Sequence, residues 1–181
     1  MLYRWHYKTP KGLDDIVMYA DGVALTGLHF SAPHGTVHRD LACPERNLPV
    51  FRATCRWLDC YFSGRQPDFT PQYRLPGATP FRKRVSGEML KVPFGATTTY
   101  GRIAATIARR DGGKMSAQAV GGAVGWNPIC IIIPCHRVIG ADGSLTGYGG
   151  GMHNKAALLR LEGTASCKSG HTRIPRQIER D

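Results

Sequence analysis

Residues 128–140 read PICIIIPCHRVIG, an apolar stretch that ends on a cysteine followed by a histidine and an arginine. The isoleucines within residues 129–133 favour a buried strand, and Pro134, which has no backbone N–H, is expected to end regular strand pairing. We therefore predict that Cys135 lies at the tip of a strand, where its thiol is presented for chemistry. The alternative is that Cys135 is one more buried cysteine that fills space in the core.

The two residues after the cysteine are able to ionise its thiol. His136 and Arg137 follow Cys135 directly, and a nearby histidine or cation lowers a thiol pKa from its usual value of about 8.5. Neighbouring side chains on an extended chain point to opposite faces, so His136 reaches Cys135 only through a turn or a bridging water. For Arg137 a structural salt bridge is the expectation.

A histidine that acts as a base also needs an acceptor that orients it, commonly a carboxylate. Glu162 is the candidate because it ends a predicted helix, where a negative charge opposes the helix dipole unless it has a partner. Ordinary surface charge is the alternative for Glu162.

A helical pattern begins at Phe81 and is stopped by Pro93 and Gly95. Two further helices are predicted in residues 98–113 and 116–126, and the glycine-containing turn between them makes them a helix-turn-helix candidate. The second helix consists mostly of small residues, and its adjacent Gly121 and Gly122 weaken it by about 1 kcal/mol each relative to alanine. The pattern indicates either tight packing against another helix or a slim helix that enters a narrow groove, with Gln118 as its one long polar side chain.

The N-terminal part of the chain combines a hairpin signal with a helix signal. Asp21 and Gly22 supply the positive φ angles of a tight turn between two strand-like runs. Apolar residues recur at helical spacing from Phe51 to Phe62, and Gly64 is placed to end that helix. These patterns predict a small α/β layer.

Four prolines without periodicity in residues 64–80 predict a linker. The predicted fold class is therefore mixed, α+β or α/β. A small N-terminal α/β domain with a β-hairpin and a helix covers residues 1–79, including the linker at about 64–79. A mostly helical C-terminal domain with the helix-turn-helix covers residues 80–163. Residues 164–181 show no period and are expected to form a disordered basic tail.

The composition narrows the class of protein. The formal net charge of +11 favours a polyanion such as nucleic acid as the partner, with solubility alone or an anionic membrane surface as the alternatives. The chain has no run of about 18 apolar residues and no signal-peptide pattern. We therefore expect a cytoplasmic protein that does not bind membranes.

The six cysteines form no CxxC pair and no dense framework, so most of them are expected to be free thiols. Cys55 and Cys60 are predicted to be buried small hydrophobic residues. A zinc site is the alternative, although its spacings fit no common zinc finger and we predict no metal. That site would draw on Cys43, Cys55 and Cys60 together with His29, His34 or His38.

Three segments, NPICIIIPCHRVIG, GSLTGYGGG and LLRLEG, together resemble the O6-alkylguanine-DNA alkyltransferase family, whose hallmark is PCHRV. The resemblance is close over residues 80–163 and looser before them. It implies a monomeric DNA-repair protein without a cofactor. Such a protein flips an O6-alkylguanine, or an O4-alkylthymine, out of double-stranded DNA and moves the alkyl group irreversibly to Cys135.

The resemblance also implies roles for the matching residues around the thiol. His136 would deprotonate Cys135 through a water, and Glu162 would orient His136. Asn127 would tie the turn that carries the motif, and Tyr100 would donate a proton toward N3 of the departing guanine.

Further matching positions concern the base and the DNA. Tyr148 and Gly149 would cover the flipped base, Lys155 would support the site, and backbone groups at Cys135 and Val138 would read the guanine edge. The helix-turn-helix would bind the minor groove. Its DNA-binding residues would be Arg102, Gln118, Ala119, Gly121 and Gly122.

Two positions depart from the family pattern. Many members carry an arginine at the position of Gln118, and a proline or small residue is frequent at that of Cys130. The first departure predicts weaker DNA binding and the second an altered wall of the base pocket. Three other functions are weighed against repair: a module that flags alkylated DNA without chemistry, a methylation-responsive transcription factor and a cysteine hydrolase.

Overall fold

The computed structural model describes residues 1–31 and 43–164, so the predicted tail lies, except for Thr164, outside the described residues. The described part is a mixed α/β structure with five α-helices and two small sheets. The elements in chain order are β1 Tyr3–Tyr7, β2 Ile16–Ala20, β3 Leu25–Phe30, α1 Pro49–Phe62, α2 Pro80–Leu90, β4 Thr98–Thr99, α3 Tyr100–Asp111, α4 Ala117–Gly125, a 3-10 turn Cys135–Arg137, β5 Val138–Ile139 and α5 Met152–Leu161.

The first sheet is antiparallel, in the order β1-β2-β3. Strands β2 and β3 form the predicted hairpin, and its turn is closed by Asp21, whose Oδ1 accepts the backbone N–H groups of Val23 (3.0 Å) and Ala24 (2.9 Å). Strand β1 was not predicted. It pairs with β2 along its whole length, and Tyr3, Trp5 and Tyr7 pack against the core while Arg4 and His6 alternate with them, which is the pattern of a half-buried strand.

Helix α1 confirms the helical prediction and covers the sheet with its apolar face. Phe51, Leu58 and Tyr61 are fully buried on this face. The prediction that Cys55 and Cys60 are buried is wrong, because they flank the buried stripe of the helix and are partly exposed. Helix α1 thus brings a tyrosine hydroxyl into the core of the molecule.

Helices α2, α3 and α4 pack against one another. Each begins with a hydroxyl cap: Thr79, Thr99 and Ser116 accept a backbone N–H from the first turn of α2, α3 and α4 respectively. Gly112, in the left-handed region with φ of 71°, ends α3. The two helices expected in residues 98–113 and 116–126 are therefore present.

The prediction of a strand at residues 129–133 is wrong. Ile129 makes a single β-bridge with Leu28, and the chain then turns inside the core. The Asn127 side chain causes the turn, because its Nδ2 donates to the carbonyls of Ile129 (3.3 Å) and Ile133 (2.8 Å). Ile131 takes a φ of 68°, which costs a β-branched residue about 1–3 kcal/mol. Hydrogen bonding and burial here outweigh strand propensity.

The second sheet is small and joins the reactive segment to the helices. Strand β5 follows the 3-10 turn directly and pairs in parallel with β4, which leads into α3. Glu162 lies at the C-terminal end of α5, as predicted. Within residues 1–31 and 43–164, no helix has the length and apolar character needed to cross a lipid bilayer.

Candidate active site

The thiol of Cys135 lies at the start of the 3-10 turn and is held by Asn127. The Nδ2 atom of Asn127 is 3.1 Å from Cys135 Sγ, in addition to its bonds to the two carbonyls of the preceding turn. Cys135 is 4% exposed. Because the chain turns at this point, His136 is not forced onto the opposite face, as it would be in an extended segment.

The surroundings of Cys135 favour its thiolate. A hydrogen bond from the Cys130 thiol is the main cause that lowers the Cys135 pKa, and the Asn127 amide and the positive charge of Lys155 add to it. Burial opposes them. The pKa of Cys130 is raised in turn, by its hydrogen bond to Cys135 and by burial, so Cys135 is the thiol of the pair that ionises.

His136 and Glu162 form a buried pair. The Nε2 atom of His136 lies 2.7 Å from Glu162 Oε1, and neither side chain is exposed. Burial lowers the pKa of His136, with the charges of Arg137 and Lys155 acting in the same direction and Glu162 against them. A neutral imidazole that faces a carboxylate through Nε2 carries its hydrogen there. Its Nδ1 is then an acceptor, and this buried atom has no hydrogen-bond partner among the described residues.

Glu162 is held as a carboxylate by several donors. Arg137 donates from Nε to Oε2 (2.9 Å) and from Nη2 to Oε1 (3.0 Å), and the backbone N–H of Gly95 donates to Oε2 (3.2 Å). Burial by itself raises the pKa of Glu162, but the hydrogen bonds and charges of His136 and Arg137 outweigh it and lower the pKa to about 2. The salt bridge expected for Arg137 is confirmed.

Tyr61 also contacts the His136–Glu162 pair, although the sequence did not predict it. Its hydroxyl donates to Glu162 Oε1 at 2.6 Å and lies 3.3 Å from His136 Nε2. In sequence Tyr61 is one more apolar position of α1, far from the motif. The available signal was chemical, because a buried tyrosine hydroxyl needs a hydrogen-bond partner.

Lys155 supports the same region from α5. Its side chain is fully buried, and Nζ donates to the carbonyls of Val138 (2.8 Å) and Thr146 (2.9 Å). Burial lowers the pKa of Lys155 to about 8. The hydroxyl of Tyr100 accepts a hydrogen bond from Thr146 Oγ1 at 3.1 Å, so Tyr100 lies beside this loop.

Tyr148 approaches the two thiols from the glycine-rich loop. Its ring is partly exposed and meets Phe30 edge-on, with 6.5 Å between ring centroids, while its hydroxyl is buried. Burial raises the pKa of Tyr148, and Cys130 and Cys135 add to the rise, so the phenol stays protonated beside the thiols. Gly149 follows on the exposed side of the loop.

The small residues of α4 lie largely on an open surface. Gln118, Ala119 and Gly122 are exposed, and a Cβ atom added at Gly122 meets nothing within 4 Å. A Cβ atom at Gly121 would lie 3.8 Å from the Tyr100 ring. Tyr100 is the first residue of α3, and Ala123 of α4 is buried, so part of the small-residue face packs against another helix and part of it is open. Arg102, on α3, is exposed as well.

Two of the residues in the alternative zinc site, His34 and His38, lie outside the described residues. Among the side chains in residues 1–31 and 43–164, no three histidine, cysteine, aspartate or glutamate groups lie close enough to share a metal ion.

A thiol next to a buried histidine–carboxylate pair is the arrangement typical of enzymes that use a cysteine. Residues 80–164 match the family model of the 6-O-methylguanine DNA methyltransferase, DNA binding domain. The Mycobacterium leprae methylated-DNA–protein-cysteine methyltransferase is 49% identical over 147 residues, which cover 81% of this chain and 85% of the relative. The Mycobacterium tuberculosis protein of the same name is 40% identical over 158 residues, 87% of this chain and 92% of the relative.

A solved structure agrees with these relatives. The crystal structure of Mycobacterium tuberculosis OGT in complex with DNA matches with a TM-score of 0.73 and 37% identity, over 88% of this chain and 92% of that one. The chain belongs to the methylated-DNA–protein-cysteine methyltransferase family and is a methyltransferase.

Proposed function

We propose that this protein repairs double-stranded DNA by moving the alkyl group from O6 of guanine, and from O4 of thymine, to Cys135. The observation that carries the proposal is the arrangement around the thiol. Asn127 donates a hydrogen bond to Cys135 Sγ. The next residue, His136, is paired with the buried Glu162 through Nε2, and its Nδ1 is available to accept a proton.

The reaction begins with the loss of the thiol proton. The Nδ1 atom of His136 accepts this proton through a bridging water, and Glu162 stabilises the imidazolium that forms. The Cys135 thiolate then attacks the alkyl carbon in line with the C–O6 bond. The new S–C bond forms as the C–O6 bond breaks, and the electron pair of the broken bond passes to guanine.

Tyr100 completes the proton balance by donating toward guanine N3, so that the base leaves neutral. The product at Cys135 is a thioether, which does not give the alkyl group up again under mild conditions. One protein molecule therefore repairs one lesion.

The pocket for the base is formed by the loop and the motif. Tyr148 and Gly149 cover the flipped base, and the backbone at Cys135 and Val138 contacts its hydrogen-bonding edge. Lys155 donates to the Val138 carbonyl and so fixes the backbone that would contact the guanine.

DNA binding is assigned to the surface around α4. Helices α3 and α4 act as a helix-turn-helix whose thin, exposed face enters the minor groove, with Ala119, Gly121 and Gly122 in contact with the DNA and Gln118 placed to occupy the space that the base leaves. Arg102 contributes positive charge. Because backbone contacts dominate, binding depends little on sequence and strongly on salt.

The proposal also covers the domain division, the oligomeric state and the location of the protein. Residues 1–79 form an N-terminal domain and residues 80–163 the domain that binds DNA and carries Cys135. The protein acts as a monomer in the cytoplasm.

Intact mass spectrometry tests the proposal directly. After incubation with duplex DNA that carries O6-methylguanine, the protein gains the mass of one methylene group, once per molecule. The gain disappears in Cys135→Ala and persists in Cys60→Ala, which removes a partly exposed thiol outside the site. No gain, or a gain that survives Cys135→Ala, contradicts the proposal. Repeated turnover of ester or peptide substrates would identify a cysteine hydrolase instead.

A further inference from the structure

Tyr61 lies in α1, in the N-terminal half of the chain, yet its hydroxyl meets the histidine–glutamate pair. The side chain is fully buried. Its ring stacks on Trp57, with 5.4 Å between centroids, and meets the His136 ring edge-on at 6.4 Å. Aromatic contacts on two sides fix the direction in which the hydroxyl points.

The hydroxyl of Tyr61 contacts both members of the pair. A phenolic hydroxyl carries one hydrogen, and Tyr61 donates it to the charged Glu162 Oε1 at 2.6 Å. The phenol oxygen then faces His136 Nε2 at 3.3 Å, as a second and weaker acceptor for the N–H that points to Glu162. Burial and the negative charge of Glu162 raise the pKa of Tyr61, so the donor stays protonated.

We infer that Tyr61 is a positioning residue for alkyl transfer. Its hydroxyl holds Glu162 Oε1 in place and keeps the hydrogen of His136 on Nε2, which leaves Nδ1 as the proton acceptor. The inference rests on the proposed function, because the proton in question is that of Cys135. Tyr61 itself touches no reacting atom, and its effect passes through Glu162 and His136.

Two charged groups face the pair from the elements packed around it. Arg137 contacts Glu162 from the 3-10 turn, and the positive charge of Lys155 reaches His136 from α5. Tyr61→Phe leaves these groups and the Gly95 donor in place and removes the shortest hydrogen bond to Oε1 together with the weaker contact to His136 Nε2. The carboxylate then becomes more basic and stabilises the imidazolium more strongly, so the pKa of His136 rises.

The test compares Tyr61→Phe with Tyr7→Phe. The Tyr7 hydroxyl also donates to a carboxylate of α1, Asp59 Oδ1 at 2.8 Å, but far along the chain from the reactive motif, so the control removes the same type of bond. Tyr61→Phe is expected to slow single-turnover methyl transfer about tenfold at neutral pH, which corresponds to one hydrogen bond to a charged group. The acid limb of its pH–rate profile moves to higher pH. Tyr7→Phe leaves both unchanged.

A second measurement separates positioning from mere structural support. NMR titration of His136 in the DNA-free protein is expected to show a higher midpoint in Tyr61→Phe than in the wild type. Incorporation of 3-fluorotyrosine at position 61 keeps the ring and strengthens the donor, so it retains transfer and lowers the midpoint. This variant keeps the test decisive should the phenylalanine variant not fold.

Three results would overturn the inference: a transfer rate in Tyr61→Phe within about twofold of the wild type, an equal loss in Tyr7→Phe, or an unchanged His136 midpoint. If the wild type transfers no methyl group at all, the proposed function fails. The His136 titration still reports on Tyr61 in that case, so the two failures are distinguishable.

Discussion

Glu162→Gln is the substitution that probes the site most directly, because it keeps the shape of the side chain and removes its charge. The pKa of Glu162 falls from its ordinary value of 4.5 to about 2 in the folded protein. A difference of this size corresponds to about 3 kcal/mol of folding free energy at neutral pH. The glutamine variant loses this contribution and leaves Arg137 buried without a counter-charge, so its free energy of unfolding is expected to fall by about 3 kcal/mol.

The pH dependence of this contribution has a definite sign. The folded state binds fewer protons than the unfolded chain, since the Glu162 pKa is lower in the folded protein. The stabilisation is therefore complete above about pH 4.5 and is lost as the pH falls toward 2. Urea unfolding of wild type and Glu162→Gln is expected to show a gap at pH 7 that closes on acidification.

The same substitution is expected to slow the proposed alkyl transfer. Glu162 raises the pKa of His136 against the effect of burial, so without its charge the imidazole is a weaker base. Single-turnover transfer is expected to be about 100-fold slower, the low end of general-base contributions.

Glu88→Gln is the matched control, because Glu88 is also buried and paired, with Lys91 and Arg110, but does not contact the cluster around Cys135. Equal transfer rates in Glu162→Gln and the wild type would refute the role of Glu162. An equal slowing in Glu88→Gln would mark the effect as one of stability alone.

Three further predictions concern the thiol and the DNA surface. Cys130→Ala removes the hydrogen bond that chiefly lowers the Cys135 pKa, so the pH midpoint of Cys135 alkylation by iodoacetamide is expected to rise; an unchanged midpoint would contradict this. Gly122→Ala adds a methyl group in open space on an exposed helix, so it is expected to stabilise the protein by about 1 kcal/mol in urea and yet to weaken duplex DNA binding in fluorescence anisotropy. Unaltered binding would exclude the groove contact. Gln118→Arg is expected to tighten DNA binding and to steepen its salt dependence by about one counterion, and identical salt slopes would show that residue 118 is not at the DNA.

The helices were predictable because their signals are local. Hydroxyl caps, glycine ends and apolar spacing lie within a few residues of the helices they control, and α1, α3 and α4 were found where these signals placed them. The turn at Asp21 was predictable for the same reason. Strand β1 was missed although its alternation of aromatic and polar residues is a local strand signal, whereas its pairing with β2 is a contact between segments that no local pattern shows.

The error at residues 129–133 has a different cause. A run of isoleucines satisfies a buried strand and a buried turn equally well, since both remove apolar side chains from water. The turn depends on Asn127, whose side-chain amide donates hydrogen bonds to the carbonyls of Ile129 and Ile133. A side chain that replaces sheet hydrogen bonds leaves no periodic signal.

The sequence by itself determined the chemical groups and their local order: a thiol, a histidine and an arginine after a proline, and a glutamate at the end of a helix. The sequence also named Glu162 as the candidate partner of His136, but only the tertiary structure decided between this role and ordinary surface charge, and only it added Tyr61. Glu162 contacts His136 and Arg137, and Tyr61 joins them from α1, 101 residues away from Glu162. The physical reason is that a buried carboxylate is stable only when hydrogen-bond donors surround it, and these donors come from segments that packing brings together. Local propensity does not encode that choice.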